Sequence, residues 1–258
     1  MAVHNCESTL REAIDSILAQ TYANWEFIIC DDCSTDGTMG ILEEYQNKYP
    51  GKIKIIQNQR NLFLAASLNH CLQYADGEFS ARMDGDDICP PNRFERQVLY
   101  LRTHSGIDMV GTLRKAYDGE KLGKEIGTYK EFPDKYELRF GSCFVHASIM
   151  MYTRVFHALG GYTVSARTVR SQDFDLWIKF FANGYHGANM PEVLYYERVD
   201  SNSYLRRKPK VYLWQIVSRW ICFRTLHYPL KYYWRLPEPL AHLAVNECRK
   251  LRSYMFEK

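Results

Sequence analysis

Two short acidic clusters hold the residues most able to do chemistry: Asp84-Gly85-Asp86-Asp87, and Asp31-Asp32-Cys33-Ser34-Thr35-Asp36. Each follows a strand-like run. Glu78-Phe79-Ser80-Ala81-Arg82-Met83 leads into the first, and Trp25-Glu26-Phe27-Ile28-Ile29-Cys30 into the second. Acidic clusters at strand ends of one open sheet meet at a single crevice. Carboxylates gathered there suit a hard divalent cation and, with it, a nucleotide. Asp84 to Glu95 also has acids at the first, third and twelfth positions of a calcium loop. Ile88 and Cys89 stand where that loop needs Asp or Asn and then Gly, so the calcium reading fails.

Positioning such clusters takes alternating strands and helices. Leu10, Ala13, Ile14, Ile17 and Leu18 share one helical face, with Ser8 placed to cap it. A strand at 25–30 follows. Thr38, Ile41, Leu42, Tyr45 and Tyr49 mark a second helix, stopped by Pro50-Gly51, and 52–57 reads as strand. Leu64, Ala65, Leu68, Cys71, Leu72 and Ala75 predict a third helix ended by Gly77. Pro90-Pro91 then opens a helix through Leu101, because Pro suits a first helical turn. This order predicts an α/β fold, a mostly parallel sheet with helices on both faces. After about residue 107 the rhythm breaks. Segments 107–113, 143–152 and 193–198 read as strands, and a helix after Ser171 buries Leu176, Trp177, Phe180 and Phe181 before Gly184. The opening strand would be only Met1-Ala2-Val3, whereas strands usually run five or six residues. The expectation is that the natural chain continues several apolar residues upstream.

Composition bounds the function. With 46% hydrophobic and 24% charged residues in 258, the chain is an ordinary globular protein able to bury a real core. Eight cysteines fall without a repeating frame, which argues against a disulfide scaffold and for a reducing compartment. Cys30-Asp31-Asp32-Cys33 has redox-motif spacing, but two intervening carboxylates disfavour a thiolate, so two unpaired thiols are expected. Residues 201–258 carry 12 Lys+Arg against 3 Asp+Glu, while residues 1–200 carry 21 against 27. Such asymmetry points the tail toward an anionic partner. The apolar run from 211 to 223 is interrupted by Gln215, Ser218 and Arg219, too short and polar to span a bilayer.

Several motifs in order resemble the inverting family-2 glycosyltransferases of GT-A fold, and within them bacterial exopolysaccharide-assembly enzymes. Val3-His4-Asn5 resembles the family's V-Y-N. Gln20-Thr21-Tyr22 with Trp25-Glu26 resembles Q-T-Y-x-x-x-E. Asp31-Asp32-Cys33-Ser34-Thr35-Asp36 resembles D-D-G-S-T-D, and Ala81-Arg82-Met83-Asp84-Gly85-Asp86-Asp87 resembles A-R-M-D-A-D-D. Gln172-Asp173-Phe174-Asp175-Leu176-Trp177 resembles E-D-x-D-L-W, and Pro191-Glu192-Val193-Leu194-Tyr195-Tyr196 resembles P-E-x-L-x-Y. The departures are His4 for Tyr, Cys33 for Gly, Gln172 for Glu, and Asp200 where many members carry His.

The resemblance implies a GT-A catalytic domain over 1–204, with a nucleotide-binding half at 1–106 and an acceptor-binding half at 107–204. A basic aromatic helical tail follows at 205–258. It implies a nucleotide-sugar donor, UDP-linked, and a glycan or polyprenyl-linked acceptor in surface polysaccharide synthesis. Val3 and His4 would frame the base, Asp32 would bond the uracil imide beside Asp31, and Asp84 would face the ribose. Asp86, with Asp84, would hold Mg²⁺ or Mn²⁺, and Asp173 would be the catalytic base. His146 stands where members often carry a His, as a substrate contact or a structural residue. Arg167 and Arg170 precede the base, as diphosphate or acceptor ligands or as a solvated loop. The cation would offset charge on the departing diphosphate while Asp173, in a first helical turn that favours its ionised form, takes the acceptor's proton. A nucleotidyltransferase is disfavoured for want of a Gly- and Lys/Arg-rich phosphate loop. A non-catalytic protein of the same fold, docking on a membrane or protein partner, is the alternative.

In the tail, Arg206, Arg207, Lys208, Lys210, Arg219, Arg224, Lys231 and Arg235 interleave with Trp214, Trp220, Phe223, Tyr228, Tyr232, Tyr233 and Trp234. That mixture suits an interfacial helix on anionic lipid and also nucleic acid, or packing on the catalytic body. Lipid-linked acceptors in the family favour the membrane. The expectation is a cytoplasmic protein, peripheral on the inner face of the cell membrane, with no nucleic-acid partner.

Overall fold

The computed structural model describes residues 1–127, 129–199 and 208–256, so Asp200, Arg206 and Arg207 lie outside the described residues. The first half alternates as the apolar spacing requires: β1 (Ala2–Val3), α1 (Leu10–Leu18), β2 (Phe27–Asp31), α2 (Thr38–Lys48), β3 (Ile53–Gln57), α3 (Phe63–Leu72), β4 (Phe79–Ala81) and α4 (Arg93–Thr103). β1, β2 and β3 are parallel neighbours in that order. β2 is buried on both faces, which explains its unbroken apolar run.

The second half contains β5 (Met109–Tyr117), β6 (Leu122–Ile126), β7 (Met150–Tyr152), α5 (Thr153–Ala158), α6 (Gln172–Ala182) and β8 (Gly187–Arg198). β5 runs parallel to β8 and antiparallel to β6 and β7, and β7 pairs antiparallel with β4. A parallel bridge between Ala2 and Asp84 joins the two sheets, at the acidic loop itself. The fold is therefore mixed α/β, parallel in its first half and largely antiparallel in its second.

Local corrections concern boundaries. Thr9 rather than Ser8 is the N-cap of α1, and its side chain makes no capping bond. α3 stops at Leu72, not at Gly77. Segment 143–152 is a strand only at Met150–Tyr152, preceded by a 3-10 turn at His146–Ser148. Cys33, where the motif has Gly, takes a left-handed φ of 59°, a conformation that costs a residue with a Cβ roughly 1–2 kcal/mol. Cys30 is buried on β2 beside Cys71 of α3, while Cys33 turns its thiol toward the Gln59 carbonyl. All eight cysteines are free thiols, and nothing pairs the Cys30–Cys33 motif.

The tail forms α7 (Pro209–Thr225), a 3-10 turn at Leu230–Arg235, and α8 (Glu238–Phe256). Tyr212, Cys222 and Phe223 of α7 are buried. Cys222, Phe223, Leu226 and Tyr228 join the core around Trp177, Phe180 and Phe144. Part of the tail thus packs on the preceding α/β body. The opposite face of α7 is open: Leu213 and Trp220 are 56% and 48% exposed, and Trp214 and Val217 are exposed beside them. If α7 belongs to this core, Phe223→Ala should destabilise the whole protein by about 3–5 kcal/mol. Chemical denaturation should show one transition shifted as a unit. An unchanged midpoint would mean the tail folds apart from the body.

Candidate active site

The acidic loop leaves β4 and is pinned on two sides, by the Ala2–Asp84 bridge and by an antiparallel bridge between Ile88 and Tyr196 of β8. Asp84, Asp86 and Asp87 each place a carboxylate oxygen within 4.8 Å of the others. Asp87 is buried. Its Oδ2 accepts from the Tyr195 hydroxyl at 2.8 Å, and its Oδ1 from the Arg198 amide at 2.7 Å. The Arg198 guanidinium donates to the Asp86 carbonyl at 2.9 Å and pairs with Glu12. Buried Arg82 is ion-paired with Asp84.

Burial, then the charges of Asp84 and Asp86, push the Asp87 carboxyl up to about 7. Partial desolvation in the crevice, then the Asp84 charge, moves Asp86 upward as well, although Asp86 keeps an exposed edge. Oxygen donors alone, too few for a full protein cage, fit Mg²⁺ or Mn²⁺ completed by water and phosphate oxygens. An added cation would relieve the crowding that raises both groups.

Asp84 and Asp173 line one cavity of ≈ 510 Å³, together with Arg82, His146, Arg170 and Glu197. Asp173 sits in the first turn of α6. Burial raises its carboxyl; the Phe174 amide, the Ser142 hydroxyl and the Arg82 charge pull the other way without cancelling the rise. Desolvation thus outweighs the helix-end effect expected from sequence. The His146 ring nitrogen Nε2 bonds the Tyr162 hydroxyl at 2.9 Å, and burial followed by the Arg82 charge drives its pKa well down. Arg170 is exposed on the cavity wall, held at a left-handed φ of 69°. Arg167 is not on that wall. It pairs with buried Asp175 at 2.5 Å and donates to Ser218 of α7, so it fastens the tail.

The other cluster lies at the end of β2. Asp31 and Asp32 are buried. Asp31 accepts from the Ser34 amide at 3.3 Å, and Asp32 Oδ1 accepts from Asn58 Nδ2 and the Leu62 amide, each at 2.8 Å. Val3 is buried beside them and returns its carbonyl to the Asp32 amide. Exposed His4 sets Nδ1 3.0 Å from the Asp32 carbonyl. Asp32 is thus half committed to organising the loop after β3.

Sequence reasoning quoted Arg82, Asp87 and Tyr195 inside motifs without assigning them work, and it missed Tyr162 and Arg198. For Asp87 the third carboxylate in four residues was a signal. Tyr162 and Arg198 reach the site from distant segments and carry no local pattern.

A cation held by the acidic loop would compete there with protons. A carboxyl raised on folding holds a proton the unfolded chain lacks, so Asp87 contributes stability at acid pH that is lost as pH rises from about 4 through about 7. A bound cation reverses that loss. Mn²⁺ should therefore raise Tm more at pH 8 than at pH 5.5, and Asp86→Asn should abolish most of the gain. Equal Mn²⁺ shifts at both pH values would exclude the cluster as the binding site.

Known proteins resemble this chain in sequence and in fold. Residues 1–159 match the profile of Glycosyl transferase family 2. The provisionally named glycosyltransferase EpsE of Bacillus subtilis is 42% identical over 93% of this chain and 86% of its own length. WfaP of Escherichia coli, a UDP-Glc:alpha-D-GlcNAc-diphosphoundecaprenol beta-1,3-glucosyltransferase, is 27% identical over 81% of this chain and 80% of its own. In fold, S. aureus TarS 1-349 in complex with UDP-GlcNAc superposes with a TM-score of 0.70 at 17% identity, covering 95% of this chain and 70% of that one. The mannosyltransferase PcManGT from Pyrobaculum calidifontis, in complex with GDP-Man and Mn²⁺, gives 0.63 at 18% identity over 96% and 73%. From the profile match and the identity to EpsE across nearly its full length, this chain belongs to glycosyl transferase family 2.

Proposed function

We propose that the chain is an inverting glycosyltransferase that moves a sugar from a UDP-linked donor to a glycan or polyprenyl-diphosphate-linked acceptor in bacterial surface polysaccharide synthesis. One observation carries the reading: Asp84 of the acidic loop and Asp173 of α6 line the same cavity. Val3, His4, Asp31 and Asp32 would receive the nucleoside, and Asp84 the ribose. Asp86, with Asp84, would hold Mg²⁺ or Mn²⁺, which offsets charge on the leaving diphosphate. Arg170, exposed on the cavity wall, would meet phosphate oxygens. Asp173 would take the acceptor hydroxyl's proton as that oxygen attacks the anomeric carbon, and one displacement inverts the centre. Its raised pKa brings it closer to working pH, where a general base is most effective. His146, kept neutral and bonded to Tyr162, would shape the sugar pocket. The UDP-GlcNAc bound by TarS and the lipid-linked acceptor in the name of WfaP support the choice of donor and acceptor.

The tail supports a place at the membrane surface. Among the described residues no helix is long and apolar enough to cross a bilayer. α7 is apolar on both faces: one joins the core, and the other presents Leu213, Trp214, Val217 and Trp220. Leu230 and Trp234 of the following turn are 83% and 73% exposed, and Arg224 lies over the Trp220 ring at 5.4 Å. Apolar side chains edged by cations suit the headgroup zone of anionic lipid and would bring the cavity to a lipid-linked acceptor.

Two measurements test these readings. Asp173→Asn should lower sugar transfer from UDP-sugars by about 10²–10⁴-fold with donor affinity nearly intact. Full turnover in that variant would remove Asp173 as the base. Flotation with anionic vesicles should fail when Leu213, Trp214, Val217 and Trp220 are all changed to Ser, and should weaken with salt. Unchanged flotation would place membrane contact elsewhere.

A further inference from the structure

Arg139 and Arg235 come from distant segments and meet at one ring. Arg139 ends a short 3-10 turn at Lys135–Arg139, and Arg235 ends the turn at Leu230–Arg235. Their guanidinium carbons lie 4.2 and 4.6 Å from the centre of the Phe140 ring, within cation–π reach. No more than the sum of those distances separates the two from each other. Phe140 is 55% exposed, so the ring does not fill the core, and the two arginines are half-buried around it.

Positive charge is in excess at this corner. Glu238 accepts from both Arg219 and Arg235, so one carboxylate serves two guanidiniums. Arg139 has no carboxylate partner among the described residues; its Nη1 donates to the Tyr136 carbonyl at 2.7 Å. The acids beside it are engaged: Glu137 pairs with Lys130, and Asp134 caps the Tyr136 amide. A guanidinium held at a ring keeps in-plane N–H donors for other acceptors. Phosphate oxygens suit such forks, which bind them in pairs. Two converging cations with spare donors and too little counter-charge form an anion site.

Its neighbours identify the anion. Toward the cavity, Phe140 is two residues from Ser142, at most about 8 Å away at 3.8 Å per Cα step. Ser142 and Cys143 line the cavity that holds Asp173, and the Ser142 hydroxyl bonds the Asp173 carboxyl. In the other direction, the Arg235 guanidinium lies 5.4 Å from the centre of the Trp234 ring, and Trp234 and Leu230 are exposed apolar side chains. Base, cations and apolar surface follow one another along one chain of contacts. A lipid-linked sugar carries its groups in that order: sugar hydroxyl, diphosphate, hydrocarbon. We propose that Arg139 and Arg235 bind the diphosphate of a lipid-linked acceptor, holding its sugar toward Asp173 while Trp234 and Leu230 meet the start of the lipid chain. This deepens the acceptor class given above and rests on it. The tail would then have two uses: α7 meets the bilayer, and the turn after it reads the acceptor.

Undecyl diphosphate tests the site without the sugar. It is titrated into the full chain in the absence of vesicles, with UDP and Mn²⁺ filling the nucleotide site, and uncharged undecyl maltoside is the control. The chain should bind the diphosphate about tenfold more tightly than the maltoside, and the gap should narrow as salt rises. Arg139→Gln gives up one bond to the Tyr136 carbonyl. It should weaken diphosphate binding about tenfold, leave maltoside binding unchanged and still float with phosphatidylglycerol vesicles. If its Tm falls, Arg235→Lys, which keeps a cation beside Glu238, carries the same expectation. Equal affinity of the parent chain for both probes, or full diphosphate affinity in the variant, would overturn the proposal. Parallel loss of diphosphate binding and flotation would overturn it too, assigning the arginines to bilayer headgroups. Failure of UDP to bind with Mn²⁺ would count against the glycosyltransferase reading instead, and the undecyl titrations are then compared without UDP.

Discussion

The acidic loop must hold three carboxylates within 4.8 Å against their own repulsion, and much of the structure serves that constraint. At an effective dielectric of about 20, two full charges at that spacing oppose each other by roughly 3–4 kcal/mol. The fold spreads the cost. Arg82 compensates Asp84 from below. Tyr195 bonds Asp87 from one side, and the Arg198 amide from the other. Fully buried Arg93 lies behind, its guanidinium 5.1 Å from the centre of the Tyr195 ring and bonded to the Arg82 carbonyl at 2.7 Å. What remains is a cluster under electrostatic load, which a divalent cation would relieve. Affinity for such an ion and the load in its absence would be two sides of the same crowding.

The loop is held by both halves of the chain. β1 meets it at Asp84, and β8 meets it at Ile88. Tyr195 and Arg198 lie more than a hundred residues downstream of the aspartates they restrain. A parallel first half therefore does not build the site by itself. In the second half β8 runs parallel to β5 and closes the loop through its bridge from Tyr196 to Ile88, and α6 carries Asp173 to the cavity wall. Arg82 reaches both ends: paired with Asp84, it also bears electrostatically on Asp173 and His146.

Much of this was legible in sequence where the signal is local. Apolar spacing marked α1, α2 and α3, because burial against one sheet imposes a period on each helix, and Pro90-Pro91 marked the approach to α4. The acidic clusters stood out because like charges so close in sequence are costly without a purpose. The second half was harder to read. β5 pairs with β7 at its start and β6 at its end while β8 follows it throughout, with register shifts near Leu113, so these boundaries follow pairing rather than local pattern. Tyr162 looked like any aromatic, and its bond to His146 exists only in three dimensions. Arg167 and Arg170 stood open in sequence between ligands and a solvated loop. Three residues apart, they part in space: Arg167 goes to Asp175 and Ser218, and Arg170 to the cavity wall.

The tail shows why composition alone could not choose between packing and surface binding. Both readings draw on the same residues, and the helix satisfies both. Tyr212, Cys222 and Phe223 face inward, and Leu213, Trp214, Val217 and Trp220 face outward. A helix needing only to cover the core would carry polar residues on its outer face. Apolar surface kept open in this way usually marks a contact site. The inner face also fixes where the outer one points: Arg167 ties α7 to the turn before α6, and Asp175 on α6 receives the same guanidinium. Arg235 of the following turn lies 4.6 Å from the centre of the Phe140 ring, which Arg139 contacts at 4.2 Å from its own segment. Phe140 adjoins Ser142 and Cys143 on the cavity wall. The exposed tail surface is therefore joined, through Arg235 and Phe140, to the wall of the cavity that Ser142 and Cys143 line.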